Sequence, residues 1–119
     1  MAKYETEINM DFDELVRRVS DEIYKGSISA SIEDASDFTD GDARCSVRVF
    51  ERYSNAGKNR VSMNVTFFQN GDGPVHVSGI TSGGSQAVFF KVNTWGEDSF
   101  LYRLKEVLSE LSPPKCHAL

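Results

Sequence analysis

The sequence predicts an α+β fold, in which one antiparallel sheet of five or six strands is covered on one face by two helices. Several segments alternate apolar and polar residues with a period of two, which is typical of strands with one buried face. Two other segments repeat apolar residues at three- and four-residue steps, which indicates amphipathic helices. Short turn sequences separate consecutive strands and favour an antiparallel meander. The predicted order is strand, helix, four or five strands, helix.

The first half of the chain contains a strand and a well-marked helix. Apolar alternation runs to position 10 and stops at Asp11, the predicted N-cap of a helix that extends to position 24. Glu14 follows three residues later, as in a capping box. Gly26 is expected to end this helix in the left-handed conformation. Residues 27–32 are predicted to form a strand, and residues 33–42 an acidic loop.

The second half begins with two alternating runs, at 44–50 and 60–68, which we interpret as a hairpin. A turn leads to a strand at 75–81, where Gly79 is expected to mark a bulge because the apolar phase slips. Residues 87–92 are apolar on both sides and form either a last strand or the start of the last helix. That helix is expected to begin near Thr94 and to bury this stripe: Phe100, Leu101, Leu104, Val107, Leu108 and Leu111.

Length and composition limit the possibilities. The chain has 119 residues, and we assign residues 1–112 to a single domain and residues 113–119 to a tail. Hydrophobic residues make up 39% and charged residues 26%, which argues against disorder. The formal net charge is −5, so the protein repels phosphate backbones and no nucleic-acid partner is expected.

The same sequence predicts a cytoplasmic protein. It has no apolar signal region, and no apolar run approaches the length needed to cross a membrane, so no membrane association is expected. Cys45 and Cys116 form neither a CxxC pair nor a disulfide framework, and reduced thiols fit a reducing compartment.

One segment resembles a known family. Residues 83–101, GGSQAVFFKVNTWGEDSFL, are similar to a stretch found in a family of small bacterial proteins of unknown function, and the likeness extends over residues 2–111. The resemblance implies a bacterial, cytoplasmic origin and carries over no activity, cofactor or catalytic residue. The order of elements also resembles the helix-grip and TATA-binding-protein-like folds, which is a likeness of topology only.

The central hairpin carries the most informative side chains. Arginines and aromatic rings alternate with apolar residues there, and we predict that they project together from the open face of the sheet. A solvated face is the ordinary interpretation, since antiparallel sheets often leave one face in water. Self-association as a homodimer and binding of an anion are the alternatives. The candidate interaction face comprises Arg44, Arg48, Phe50, Arg52, Arg60 and Phe68.

A second hypothesis is a carrier that holds a small apolar ligand between the sheet and the last helix. Aromatic residues would line its cavity, although such residues more often belong to the core. The residues of this candidate cavity are Phe67, Phe89, Phe90, Trp95 and Phe100.

An enzyme is the least favoured hypothesis, because acid–base or nucleophilic chemistry needs a constellation of groups and none is visible. His76 lies on a strand without an evident partner, and the acidic loop does not have the spacing of a calcium-binding loop. We therefore predict a non-enzymatic interaction or self-associating module, with no cofactor, metal or catalytic residue assigned.

Overall fold

The computed structural model describes residues 1–26, 29–54, 59–83 and 90–111, and for residues 54, 59 and 90–99 it describes the backbone only. The strands of these ranges form one antiparallel sheet in the order β1-β5-β4-β3-β2, and two helices accompany it. The predicted α+β class is confirmed. The elements are β1 (Ala2–Ile8), α1 (Phe12–Lys25), β2 (Ser31–Asp40), β3 (Ala43–Ser54), β4 (Asn59–Asn70), β5 (Val75–Gly83) and α2 (Phe90–Leu111).

Tight turns build the meander from β2 to β5. Asp40 pairs with Ala43, so that only two residues connect β2 to β3, and Gly41 takes a φ of 60° that favours glycine. The turn after β4 lies beside this one, because the backbone N–H of Gly71 donates to the carbonyl of Asp42 at 2.9 Å. β1 completes the sheet by pairing with β5.

The two helices and one face of the sheet form the hydrophobic core. α1 begins as predicted, since the Asp11 carboxylate accepts the N–H of Glu14 at 3.0 Å. The apolar stripes of both helices are buried against every second residue of β1, β4 and β5. We call this side of the sheet the inner face. Its largest contributors are Ile8, Phe50, Met63, Val65, Phe67, Val75 and Val77.

Two glycines lie against side chains of α2, and neither has the predicted role. Gly26 ends α1 with a φ of −75°, so the expected left-handed conformation is wrong. A Cβ there would lie 2.3 Å from Nε of Arg103 on α2. The predicted bulge at Gly79 is also wrong, because its pairing continues without a shift on both sides. A Cβ on Gly79 would lie 2.3 Å from Cδ2 of Leu104.

The predicted acidic loop at 33–42 is wrong, because most of this segment belongs to β2. It pairs with β3 along its length, with one register shift between Ile32 and Asp34. β2 is an edge strand and nearly all of its side chains are exposed, so no apolar alternation marks it. Its negative charges discourage pairing with other chains, as is common on edge strands.

The last helix begins earlier than predicted. α2 starts at Phe90, so residues 90–92 are helical rather than part of a sixth strand, and Thr94 does not start the helix. Residues 87–89 of that proposed strand lie outside the described residues, as does the tail with Cys116. In the part of the chain that is described, neither helix is long and apolar enough to cross a membrane.

Candidate functional site

The pairing of β3 with β4 divides the predicted interaction face between the two sides of the sheet. Residues that pair across neighbouring strands share a face. Phe50 pairs with Met63 and Arg48 with Val65, and both partners belong to the core. The prediction of one common face is therefore wrong. The inner face carries Arg44, Arg48, Phe50 and Arg52, whereas the opposite, outer face carries Arg60 and Phe68.

The error has a physical reason. Cys45, Val47 and Val49 alternate with the arginines and look like the buried side of β3, yet they lie on the outer face. Alternation shows which residues share a face, and a covering layer decides which face is buried. α2 packs on β1, β4 and β5, so the inner positions of β3 are partly left to polar residues.

Two residues of the predicted interaction face have structural roles. Phe50 is fully buried in the core. Arg52 lies with its guanidinium carbon 4.8 Å from the centre of the Phe100 ring, a cation–π contact, and burial lowers the pKa of its guanidinium. Neither is available to a partner on the outer face.

The candidate apolar cavity stays a prediction. Phe67 and Phe100 are fully buried members of the core. Phe89 lies outside the described residues, and the side chains of Phe90 and Trp95 also lie outside the description.

A groove of about 440 Å³ opens between α1 and the inner face of β2 and β3. We call it the arginine groove. Its size falls within the range of small-molecule sites, about 300–1,000 Å³. Charged and apolar side chains from both walls line it, including Phe12, Val16, Ile32, Asp37, Arg44 and Arg48.

Asp37 and Arg48 form a charged pair in the groove. The hydroxyl of Ser46, itself buried, donates to Oδ1 of Asp37 at 2.5 Å, and Nη1 of Arg48 donates to the same oxygen at 3.0 Å. These two hydrogen bonds, that from Ser46 first, lower the pKa of Asp37 below its usual value. Nη1 of Arg48 also donates to the carbonyl of Val47 at 3.0 Å, and its side chain is only 18% exposed.

Arg44 joins β3 to the first turn of α1. Its guanidinium donates to Asp13 and lies 4.4 Å from the centre of the Phe12 ring. Asp13 is largely exposed, so this ion pair is open to solvent and to competing anions.

The outer face is open and carries several exposed apolar side chains. Phe38, Tyr53, Phe68 and Ile80 are between 40% and 61% exposed. Strand pairing places most of these on adjacent strands of one surface, beside Cys45, Val47 and Val49. No helix covers this surface in the described residues, because both helices belong to the inner-face core.

His76 lies on the outer face with a carboxylate beside it. Its Nδ1 is 3.3 Å from Oε2 of Glu7, and its ring centre is 6.3 Å from that of Phe68. Phe68 lies between His76 and Cys45 in the cross-strand row, so the thiol and the imidazole do not form a nucleophile–base pair. Among the described residues, no three side chains of the metal-ligating types lie close enough together to hold a metal ion.

The sequence prediction does not include Phe12, Asp13 or Asp37 as site residues. Asp37 belongs to the segment interpreted as a loop. The available signal is the Asp40-Gly41 pair directly before the alternating run of β3, which favours a hairpin turn and would place Asp37 beside β3. Contact between Asp13 and Arg44 depends on how α1 crosses the sheet, which no local pattern shows.

The fold and its surfaces define an α+β domain with one open sheet face and a charged groove beside α1. The chain belongs to DUF6054, a family of unknown function, which it matches over residues 1–112. No curated protein and no solved structure matches it. The resemblance to a family of unknown function is confirmed, while the bacterial origin and the helix-grip or TATA-binding-protein-like topology stay predictions.

Proposed function

We propose that this protein is a non-enzymatic interaction module that forms a homodimer by stacking the outer faces of two sheets. The observation that carries the proposal is the group of exposed apolar side chains on a face that neither helix of the described residues covers. Exposed apolar patches of this kind are typical of interaction surfaces. Cys45, a free thiol on this face, fits the reducing conditions of the cytoplasm, where we place the dimer.

The area of the outer face requires full stacking. Strands lie about 4.8 Å apart and rise about 3.3 Å per residue, so five strands of about ten residues span roughly 630 Å² in projection. A standard interface buries about 800 Å² of accessible surface per partner. A contact limited to one sheet edge would fall well short of this value, so we expect most of the face to be covered.

The charged residues of the outer face distinguish two orientations of the two copies. Lys3, Glu5 and Glu7 alternate along β1 on the outer face, and Asp34 and Asp40 lie on the outer face of β2. A two-fold axis parallel to the strands would stack the β1 edge on the acidic β2 edge. An axis perpendicular to the strands stacks β1 on β1 in reverse, with Lys3 of one copy facing Glu7 of the other. In the first arrangement the register brings Lys3 to the level of Asp34, and in the second Lys3 faces Glu7 while Glu5 faces Glu5, so each arrangement offers an opposite-charge contact. We propose the second arrangement, and a charge exchange tests it.

The first test is Phe68→Asp, because a charge at this position would be buried in the stacked interface. Sedimentation equilibrium at several concentrations should show a dimer for the unchanged protein and a monomer for the variant. Tyr102→Asp is the matched control, since Tyr102 is an exposed aromatic residue on α2. A monomer at all concentrations, or a dimer that persists in Phe68→Asp, would refute the proposal. Phe50→Asp is unsuitable because Phe50 is part of the core.

A charge exchange tests the orientation. Lys3→Glu and Glu7→Lys should each weaken the dimer, and the double variant should restore it, because the proposed contact pairs these positions across the two-fold axis. If both single variants weaken the dimer and the double variant does not recover, the sheets stack in another orientation.

A further inference from the structure

β3 has an inverted distribution of polarity. Its inner positions, on the side of the helices, include Arg44, Ser46 and Arg48, while its outer positions include Val47 and Val49. Polar residues on the core side of a sheet cost solvation free energy unless they are paired, and such local conflicts concentrate at functional sites. The arginine groove is where this conflict occurs.

Arg48 is positioned like a binding residue. Its side chain is mostly buried, and both of the hydrogen bonds found for it in the described residues come from Nη1, to Asp37 and to the carbonyl of Val47. Nη2 and Nε therefore keep their N–H groups for another acceptor. That edge of a guanidinium presents two parallel N–H groups, which match the two oxygens of a carboxylate.

The remaining charges of the groove select the type of anion. Arg17, Arg44 and Arg48 are balanced by Asp13, Asp21 and Asp37, so the lining is formally neutral. The three carboxylates would repel a doubly charged phosphate strongly. A singly charged carboxylate can bind one arginine with less repulsion from them.

The groove also has an apolar part. Val16 on α1 and Ile32 on β2 both line it, and Ile32 is 46% exposed although it shares the inner face with Phe50. An apolar group of a ligand would cover Ile32 there and gain the burial that the fold does not provide.

We infer that the arginine groove binds a small organic acid, whose carboxylate is held by Nε and Nη2 of Arg48 and whose apolar group packs against Val16 and Ile32. Arg44 supports the same site from the other end of the groove through long-range attraction. Apart from Phe38 on the edge strand, which lines the groove as well, the groove and the proposed dimer interface lie on opposite sides of the sheet.

The probe is phenylacetate, compared with its neutral counterpart phenylacetamide and with inorganic phosphate. NMR titration of the full chain should show saturable shifts at β2, β3 and α1 with phenylacetate below about 10 mM. Phenylacetamide should bind at least about tenfold more weakly, because a charge-assisted hydrogen bond is lost. Phosphate should bind more weakly than phenylacetate.

Substitutions of the lining residues test whether the acid binds at Arg48. Arg48→Gln should weaken phenylacetate binding by about tenfold to a hundredfold, and Arg44→Gln should weaken it less. Ile32→Glu adds a repelling charge on an exposed strand, so it should abolish binding without endangering the fold if Arg48→Gln proves unstable. Arg60→Gln, on the outer face, is the matched control and should bind normally.

Several results would overturn the inference: no saturable binding, equal binding of the amide, tighter binding of phosphate, or unchanged binding in both Arg48→Gln and Ile32→Glu. The dimer and the groove are tested separately. Phe68→Asp should bind phenylacetate as well as the unchanged protein, so failure of one proposal leaves the other standing.

Discussion

The two halves of the sheet distribute polar and apolar side chains differently over their two faces. In β1, β4 and β5 the inner face is apolar and packs against α2, and the outer face is polar or mixed. In β2 and β3 the inner face carries Asp37, Ser46 and two groove arginines beside the buried Phe50, and the outer face of β3 carries valines. α2 lies over the first half, whereas the groove beside α1 occupies the second.

This difference shows what hydrophobic alternation measures. A period of two indicates that residues share a face, but it does not show which of the two faces points to the core. The helix layer decides which way is buried, so a strand that lies partly beyond that layer can place its charges inward. β3 does so, and its charges form a groove rather than a core.

The largest expected effect comes from two adjacent phenylalanines of β4 on opposite faces. Phe67 is 0% exposed and Phe68 is 41% exposed. Phe67→Ala should lower the free energy of unfolding by about 3–5 kcal/mol, because it opens a cavity in the core. Phe68→Ala should lower it by less than about 1 kcal/mol in the monomer. Urea unfolding at low protein concentration measures both, and equal losses would contradict the register of β4.

The next effect tests how closely α2 packs on β5. Gly79→Ala should cost about 1–3 kcal/mol of the free energy of unfolding, because its Cβ meets Leu104 at 2.3 Å. Gly73→Ala is the matched control, since the nearest atom there is the Asn70 carbonyl oxygen at 3.4 Å, an ordinary contact. If Gly79→Ala unfolds like the control, α2 is not packed on β5 as described.

Most of the region formed by the two helices with β1, β4 and β5 could be predicted from the sequence. The cap at Asp11 and the apolar stripe of α2 from Phe100 onward are local patterns, and the structure confirms them. The close approach at Gly79 could not be predicted, because the need for glycine comes from Leu104, a residue far away in the sequence.

The candidate site was less predictable than the fold. The arginines of β3 stand out in the sequence, but their side of the sheet depends on pairing and on where the helices stop. Asp37 becomes a site residue only because a polar segment pairs with β3 over its whole length. Such long-range pairing leaves no periodic signal in a strand that is exposed on both faces.

The smallest effect tests the Asp37–Arg48 pair of the arginine groove through pH. The folded pKa of Asp37 lies below its ordinary value of 3.8, because the ionised carboxylate accepts hydrogen bonds from Ser46 and Arg48. A depressed folded pKa stabilises the protein above the unfolded pKa, and the contribution is lost as the pH falls through the folded pKa.

Asp37→Asn should therefore lower the free energy of unfolding at pH 7 by less than about 1 kcal/mol, since the carboxylate is exposed. The difference from the unchanged protein should shrink as the pH falls below 3.8. Asp34→Asn is the control on the same strand, where the carboxylate accepts only the N–H of Ala35 among the described residues. A pH-independent difference for Asp37→Asn would mean that its side chain acts through packing, and the groove would then lack the ordered ion pair that positions Arg48.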